Sequence, residues 1–521
     1  MIINQRPQAR PQQAAQQAEQ PPAKPGPENK DFNYNAQDPA TLPGDTATIA
    51  VTAANGDVQT ESVILDNKKG IFFFGQLIAL RDDPKYKLNP NADGNFVYPR
   101  DHESFTGSNV VGAVAKTVNK YNQVLGELTG KKIEWAFGED QLLVSPETGE
   151  WPNAFYARQM KGVHFFDVKS TSTGNSGEVA SHESGHAILD AIRPNYLEGT
   201  GAETGAFHEA FGDALAMLMT LGNDQAVEKI VAQTEGGDLS AKRNALSDMG
   251  EDFGNQLGMQ NGIRTSFNKF TYKDPSTLPE RGSETELGHE VHDFSRLWSG
   301  AFYDVIDGIA DANREAGMSP KDALKAAGEE GWKLLVGQME ASTAGSETTF
   351  KQMAQNLMAA DSTFNGGARQ DLIRNVMVKR ELMEAGEGLF KSAAPEFSGN
   401  IVSKELTFGE NFGALAGVKM ETKVDEPVIG GFFHGGGFNQ AVEAQKGAQL
   451  MLQNDQILFT DKAEPDFSEI FKPDGTAYKA YVGMNANGEQ ELHRIPIALC
   501  EFGGHDHAHS HGHVHGEGCD H

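Results

Sequence analysis

The chain has 521 residues, a formal net charge of −29, 38% hydrophobic residues and two cysteines. That acidity speaks against nucleic acid and anionic membrane as partners, and no apolar run approaches the roughly eighteen residues of a membrane span. Cys500 and Cys519, the second in a polar tail, exclude a disulfide scaffold, while the length allows about three domains.

Residues 1–45 are rich in Gln, Pro, Ala and Asn without apolar periodicity and are expected to be disordered. No apolar h-region marks a Sec-type signal peptide there, which points to the cytoplasm or to export by a non-Sec route. Residues 46–100 look strand-rich. Thr46–Thr52 alternates, Asn55-Gly56 is a hairpin signal, and Ile71–Phe74 predicts a buried strand.

His182-Glu183-Ser184-Gly185-His186 carries the chemistry. The apolar residues Ala187, Ile188, Leu189, Ala191 and Ile192 that follow predict a helix, on which positions i and i+4 share a face. Two imidazoles so placed can share one Zn²⁺, and Glu183 beside the first can serve as general base. A catalytic zinc needs a third protein ligand and one open position. After turn signals at Pro194, Asn195, Gly199 and Gly201, a second apolar helix presents Glu209, with Asp213 four residues on. Asp213 can accept the free ring N–H of a ligand histidine.

Beyond residue 390, Gly430–Gly437 is glycine-rich without a phosphate-loop pattern. Tyr478–Val482 and Leu492–Ile497 flank Asn487-Gly488 and predict a hairpin. Residues 391–500 are expected to form a small α+β or β appendage. Seven of the sixteen histidines fall in His505–His521, a tract able to chelate Zn²⁺, Ni²⁺ or Cu²⁺ loosely.

H-E-x-x-H followed by G-A-x-x-E-A-x-x-D resembles the thermolysin-like gluzincin metalloproteases. The resemblance covers about residues 70–390. It implies an α+β, two-lobed zincin with His182, His186 and Glu209 as zinc ligands, Glu183 as base and Asp213 behind a ligand. The family's Asn before the third ligand is replaced by His208, which bears on the hydrogen bonds that Asn makes. Val110–Val114, Lys120-Tyr121 and Leu125-Gly126 are similar to the family's long helix. Asn153-Ala154-Phe155-Tyr156 resembles its edge strand, where Asn153 and Ala154 pair with extended substrate. By the same resemblance His292 donates to the oxyanion, held protonated by Glu286 or Asp293, with Tyr196 as a second donor. Arg264 resembles the arginine that binds a substrate carbonyl and orders the third-ligand region, and Val179, Met249, Phe253 and Ile263 match the walls of the family's apolar pocket. Glu178, Asp248 and Glu251 match a calcium site, but Thr220 stands where another acidic ligand belongs, which leaves room for one weak Ca²⁺.

The expected organisation is a disordered segment 1–45, a β-rich lobe 46–186 ending in the H-E-x-x-H helix, and a helical lobe 187–390. The appendage 391–500 and a histidine-rich metal-binding tail 501–521 follow. The expected function is zinc-dependent endopeptidase action on protein or peptide, before large apolar residues. The alternative is an inactive protease-like protein whose tail buffers zinc.

Overall fold

The computed structural model of the chain describes residues 27–499 apart from 40, 43, 55–57, 258–261, 386–400, 426–435 and 473–475. The first 26 residues, the Asn55-Gly56 turn, most of the 430–437 run, Cys500 and the histidine tail lie outside the described residues.

Glu28–Tyr34 (β1) and Asp45–Val51 (β2) pair antiparallel. This corrects the expectation of disorder through residue 45. Phe32 and Tyr34 alternate into the core, and Phe32 stacks on Phe96 at 4.7 Å. Two aromatics make a period too short to stand out beside a Gln- and Pro-rich flank. Ala53–Ala54 (β3) and Val58–Gln59 (β4) pair antiparallel on either side of Asn55-Gly56, and Val63–Leu65 (β5) follows. Lys68–Phe73 (β6) and Gln76–Asp82 (β7) form a two-stranded hairpin. The strand predicted at Ile71–Phe74 therefore forms as far as Phe73, but it is not buried: Ile71, Phe73 and Phe74 are 39%, 61% and 88% exposed.

Phe105–Thr129 (α1) buries Val110, Val114, Val118, Tyr121 and Leu125, the three-to-four spacing of an apolar helix face. Gly130 ends it in the left-handed region at φ 74°. Leu142–Ser145 (β8), Ala154–Ala157 (β9) and Gly162–Phe165 (β10) extend the main sheet, and Asp167–Val168 (β11) and Thr171–Ser172 (β12) form a small ribbon. The helices that follow are Gly177–Ile192 (α2), Pro194–Leu197 (α3), Ala202–Leu221 (α4), Asp224–Gln233 (α5) and Glu251–Leu257 (α6). Asp248–Met249 (β13) and Arg264–Thr265 (β14) pair across the last of these. Val291–Glu315 (α7), Pro320–Glu340 (α8), Phe350–Phe364 (α9) and Gln370–Lys379 (α10) complete the body. One apolar cluster runs from Phe32 through α1, α2, α4 and α7 to Met377. The lobe boundary expected between residues 186 and 187 falls inside α2 and inside that cluster. Among the described residues no helix is long and apolar enough to cross a membrane.

Residues 401–499 add a second, mixed layer. Its strands are Ile401–Thr407 (β15), Lys419–Asp425 (β16), Ile457–Phe459 (β17), Ala480–Met484 (β18) and Gln490–Arg494 (β19), in the order β15-β16-β19-β18-β17. Gly436–Gln453 (α11) packs on β16, and Val418, Met451 and Val482 share a separate apolar cluster. The last strand, Ile497–Leu499 (β20), leaves this sheet and pairs antiparallel with β9. The main sheet is thus β3-β4-β5-β8-β10-β9-β20.

The N-terminus of α4 has no side-chain cap of its own at Gly201. Glu347 supplies one: its carboxylate accepts from Thr200 N at 2.8 Å, Gly201 N at 3.0 Å and Thr204 Oγ1 at 2.8 Å. Its charge also suits the positive end of the helix dipole. Burial outweighs these bonds and pushes the carboxyl from 4.5 up to about 7. Between those values the folded state holds more proton than the unfolded, so this group's contribution to stability falls as pH rises through that window. Thermal melts should show the wild type's advantage over Glu347→Gln shrinking from pH 4.5 to 7. An advantage that grows would reverse the assignment.

Candidate metal centre and active site

Ser176 starts α2, its Oγ accepting from Val179 N at 3.2 Å. Four residues apart on that helix, His182 and His186 bring their Nε2 atoms to 3.0 Å. α4 crosses α2 at a pair of glycines. A Cβ on Gly185 would lie 2.7 Å from Gly212 Cα, and one on Gly212 would lie 2.6 Å from the His182 ring. The approach carries Glu209 to the imidazoles, with Oε2 3.3 Å from His182 Nε2 and Oε1 3.7 Å from His186 Nε2. All three residues are buried and form a group able to hold a metal ion. The spacing fits, since a tetrahedral ion with bonds of about 2.0–2.1 Å wants ligand atoms about 3.3 Å apart. Glu209 Oε2 is buried without a well-aligned hydrogen bond, with His292 Nε2 at 3.2 Å, His182 Nε2 at 3.3 Å and Arg264 Nη1 at 3.7 Å around it.

Outer contacts orient each ligand. His182 Nδ1 lies 3.1 Å from Asp213 Oδ1, which also accepts from Arg264 Nη2 at 3.0 Å. The other Asp213 oxygen accepts from Ser299 Oγ at 2.8 Å. Burial pushes His182 down, but hydrogen bonds with Asp213 and Glu209 prevail and raise it to about 9. His186 turns its Nδ1 to His208 Nδ1 at 2.8 Å. His208, the residue before Glu209, thus orients His186 from its far side. Burial drops His186 well below its usual value and His208 to about 4. Glu183 is fully buried on α2 beside His182.

His292 opens α7, where the preceding Glu290 is the N-cap. Glu290 Oε2 accepts from His292 N at 3.0 Å, and Oε1 lies 2.9 Å from His292 Nδ1. Glu290, and neither Glu286 nor Asp293, holds this histidine. Asp293 pairs instead with Arg296 at 2.8 Å, and the Glu286 carbonyl accepts from Arg296 Nη2 at 2.7 Å. His292 Nε2 lies 3.2 Å from Glu209 Oε2 and donates to the Leu499 carbonyl at 2.8 Å. The partners on both sides are acceptors, so both ring nitrogens carry protons. Burial opposes that charge, but Glu209 and Glu290 raise the His292 pKa.

Other expected positions fall out differently. The Tyr196 hydroxyl donates to the Thr343 carbonyl at 3.1 Å, so it is not presented as a second oxyanion donor. The long linker folds into α3, which buries the ring and spends its proton on the 343 backbone. Asn153 is buried at the start of β9, its Oδ1 accepting from Ala154 N at 2.9 Å. Met249 faces Arg264 across β13 and β14, and both line a small recess with Asp213. Val179 is packed in the main core, Phe253 is buried on α6 and Ile263 is half-buried.

The acidic set also changes membership. Asp248 is bound by Arg243 Nε at 2.9 Å, while Glu178 and Glu251 group with Asp38, their carboxylate oxygens within 4.8 Å of one another. Burial, followed by mutual repulsion, raises Glu178 well above its ordinary value and Glu251 to about 8; Asp38 rises to about 6, chiefly by burial. Asp38 Oδ1, Glu251 Oε2 and Gln37 Oε1 are buried without a hydrogen-bond partner.

No protein-family model matches this chain, and no curated protein does. Among solved structures it is similar to the precursor of protealysin, a metalloproteinase from Serratia proteamaculans. The identity is 14% and the TM-score 0.35, over 62% of this chain and 88% of that one. So distant a likeness carries no weight for the chemistry, which rests on the contacts above.

Gly212→Ala should drive the added methyl into the His182 ring. Zinc titration of protein ended at Gly504, which lacks the histidine tail, should show affinity falling by about 10–100-fold, as for loss of a ligand-orienting contact. Unchanged affinity would mean that the helix contact does not position the ligand.

Proposed function

We propose that this chain is a zinc-dependent endopeptidase of the thermolysin-like kind, with α2 between a β-rich and a helical half. The observation that carries the reading is the buried triangle of His182, His186 and Glu209, bordered by a doubly protonated His292 already bonded to a main-chain carbonyl. Two imidazoles and one carboxylate are a zinc donor set with room for a fourth position.

Held there, zinc supplies Lewis acidity toward a carbonyl and lowers the pKa of water to about 7. Glu183 takes the proton of the attacking water and passes it to the leaving amine. His292 donates Nε2–H to the carbonyl oxygen as it gains charge, and Glu290 keeps the ring charged and aligned. Asp213 takes Nδ1–H of His182, and His208 accepts from His186, so that each ligand turns its Nε2 lone pair to the ion. Arg264 fixes Asp213 and, by resemblance, would also meet a substrate carbonyl. Asn153 and Ala154 would grip the peptide backbone. Val179, Met249, Phe253 and Ile263 favour a large apolar side chain after the cut. Asp38, Glu178 and Glu251 would bind one Ca²⁺, an oxygen-only set for a hard cation.

Glu183→Gln should keep its metal and lose chelator-sensitive casein cleavage by about 100-fold or more, the range of general acid–base contributions. Turnover near wild type would sink the mechanism. Metal retention with no cleavage in any variant, including those of the next subsection, would favour a metal-binding protein whose tail buffers zinc.

Calcium should raise the melting temperature of the wild type, with about 2.7 kcal/mol of stabilisation at a hundred times its dissociation constant. Asp38→Asn should abolish that rise and Asp248→Asn should leave most of it. The opposite ranking would restore Asp248 as the ligand.

A further inference from the structure

The sheet edge nearest the metal triangle is already occupied. β9 is joined to α2 by the Tyr156 hydroxyl, which donates to Asp190 at 2.6 Å, and its outer edge is the last open edge on that side of the sheet. β20 fills it in antiparallel register, Ile497 opposite Ala157, Ala498 opposite Tyr156 and Leu499 opposite Phe155. Where β20 ends, the Leu499 carbonyl takes the His292 Nε2 proton. That proton is the one the proposed mechanism assigns to a substrate carbonyl.

We infer that β20 is a built-in occupant of the peptide-binding edge, and that an extended peptide reaches the metal ligands only after β20 has left. The inference rests on the peptidase reading for the identity of the edge. β20 has the chemistry of the ligand it displaces, an extended backbone carrying apolar side chains. Leu499 and Ile497 are buried in one apolar cluster with Trp151, Phe155 and Phe471. Three residues of ladder are a weak attachment alone. The second sheet makes them strong by holding them in place, since a tethered segment acts at a millimolar effective concentration. Its grip on the body combines that apolar cluster, to which Ile470, Phe471 and Ile495 also belong, with polar contacts spread along the layer. Thr200 Oγ1 donates to the Ala444 carbonyl at 2.6 Å, Asn454 Nδ2 lies 2.7 Å from His289 Nε2, and Lys423 Nζ pairs with Glu198 at 3.1 Å. Such contacts allow β20 to lift while its own sheet stays folded.

Leu499→Asp and Ile497→Asp, each in the full chain, place a charge in that apolar cluster and should unseat β20. Two readouts are taken in a Glu183→Gln background, which stops turnover: hydrogen exchange at the amides of Phe155–Ala157, with α1 as the folding control, and anisotropy of a labelled extended apolar hexapeptide. Exchange at β9 should rise while α1 stays protected, and the peptide should bind at least tenfold more tightly. Loss of β9 protection with unchanged peptide affinity would overturn the inference, and so would retained protection in both variants. With Glu183 restored, the released variants should cleave casein at least tenfold faster than wild type. Tighter peptide binding without any cleavage would leave the edge occupied as inferred and would instead remove the peptidase reading.

Discussion

The close crossing of α2 and α4 at Gly185 and Gly212 is the constraint on which the rest of the site depends. Two helices with ordinary side chains at the contact sit about 8–10 Å apart. Here neither crossing residue can carry a methyl group, because Cβ contacts of 2.6–2.7 Å would follow. The gain is that one stretch of α4 serves the whole centre. Glu209 meets both imidazoles, Asp213 reaches the far side of His182, and His208 reaches the far side of His186. α7 then packs on α4 and closes the arrangement, with Ser299 on Asp213 and His292 beside Glu209.

Several of the polar groups buried by that packing are answered in pairs. Arg264 answers Asp213, and His292 answers Glu290, each through a direct hydrogen bond or its equivalent distance. Glu209 Oε2 has near neighbours but no hydrogen bond. A low-dielectric interior makes a satisfied network rigid and an unanswered carboxylate expensive. The positive groups of His182, His292 and Arg264 converge on Glu209 Oε2, the carboxylate oxygen that faces the two imidazoles.

Much of this was legible in the sequence because it is local. The i, i+4 pairs His182/His186 and Glu209/Asp213 follow from helix periodicity alone, and the turn residues between α2 and α4 fix their order. The Asn487-Gly488 hairpin of β18 and β19 is likewise a short-range signal. What was not legible is long-range pairing. Asp38 joins Glu178 from 140 positions away in a segment whose composition suggests disorder, and Glu347 caps α4 from 146 positions beyond Gly201. Tyr196 spends its hydroxyl on a backbone carbonyl that no spacing rule could name. Glu290 is close in sequence to His292, but Glu is not among the side chains that usually cap a helix, so its place at the start of α7 carries no strong local signal.

The contact between α4 and the C-terminal layer shows how a displaceable strand and a rigid centre can share residues. Thr200 is used twice, its N–H by the Glu347 carboxylate and its hydroxyl by the Ala444 carbonyl of α11. Glu347 is also used twice, its carboxylate by α4 and its backbone carbonyl by Gln440 Nε2 at 3.1 Å. In each residue the group that caps the helix differs from the group that holds the C-terminal layer. At these two residues, lifting that layer breaks bonds of the second kind, and the carboxylate cap of α4 stays made. The three bonds from the Glu347 carboxylate to the start of α4, the helix that carries Glu209, involve no residue of β20.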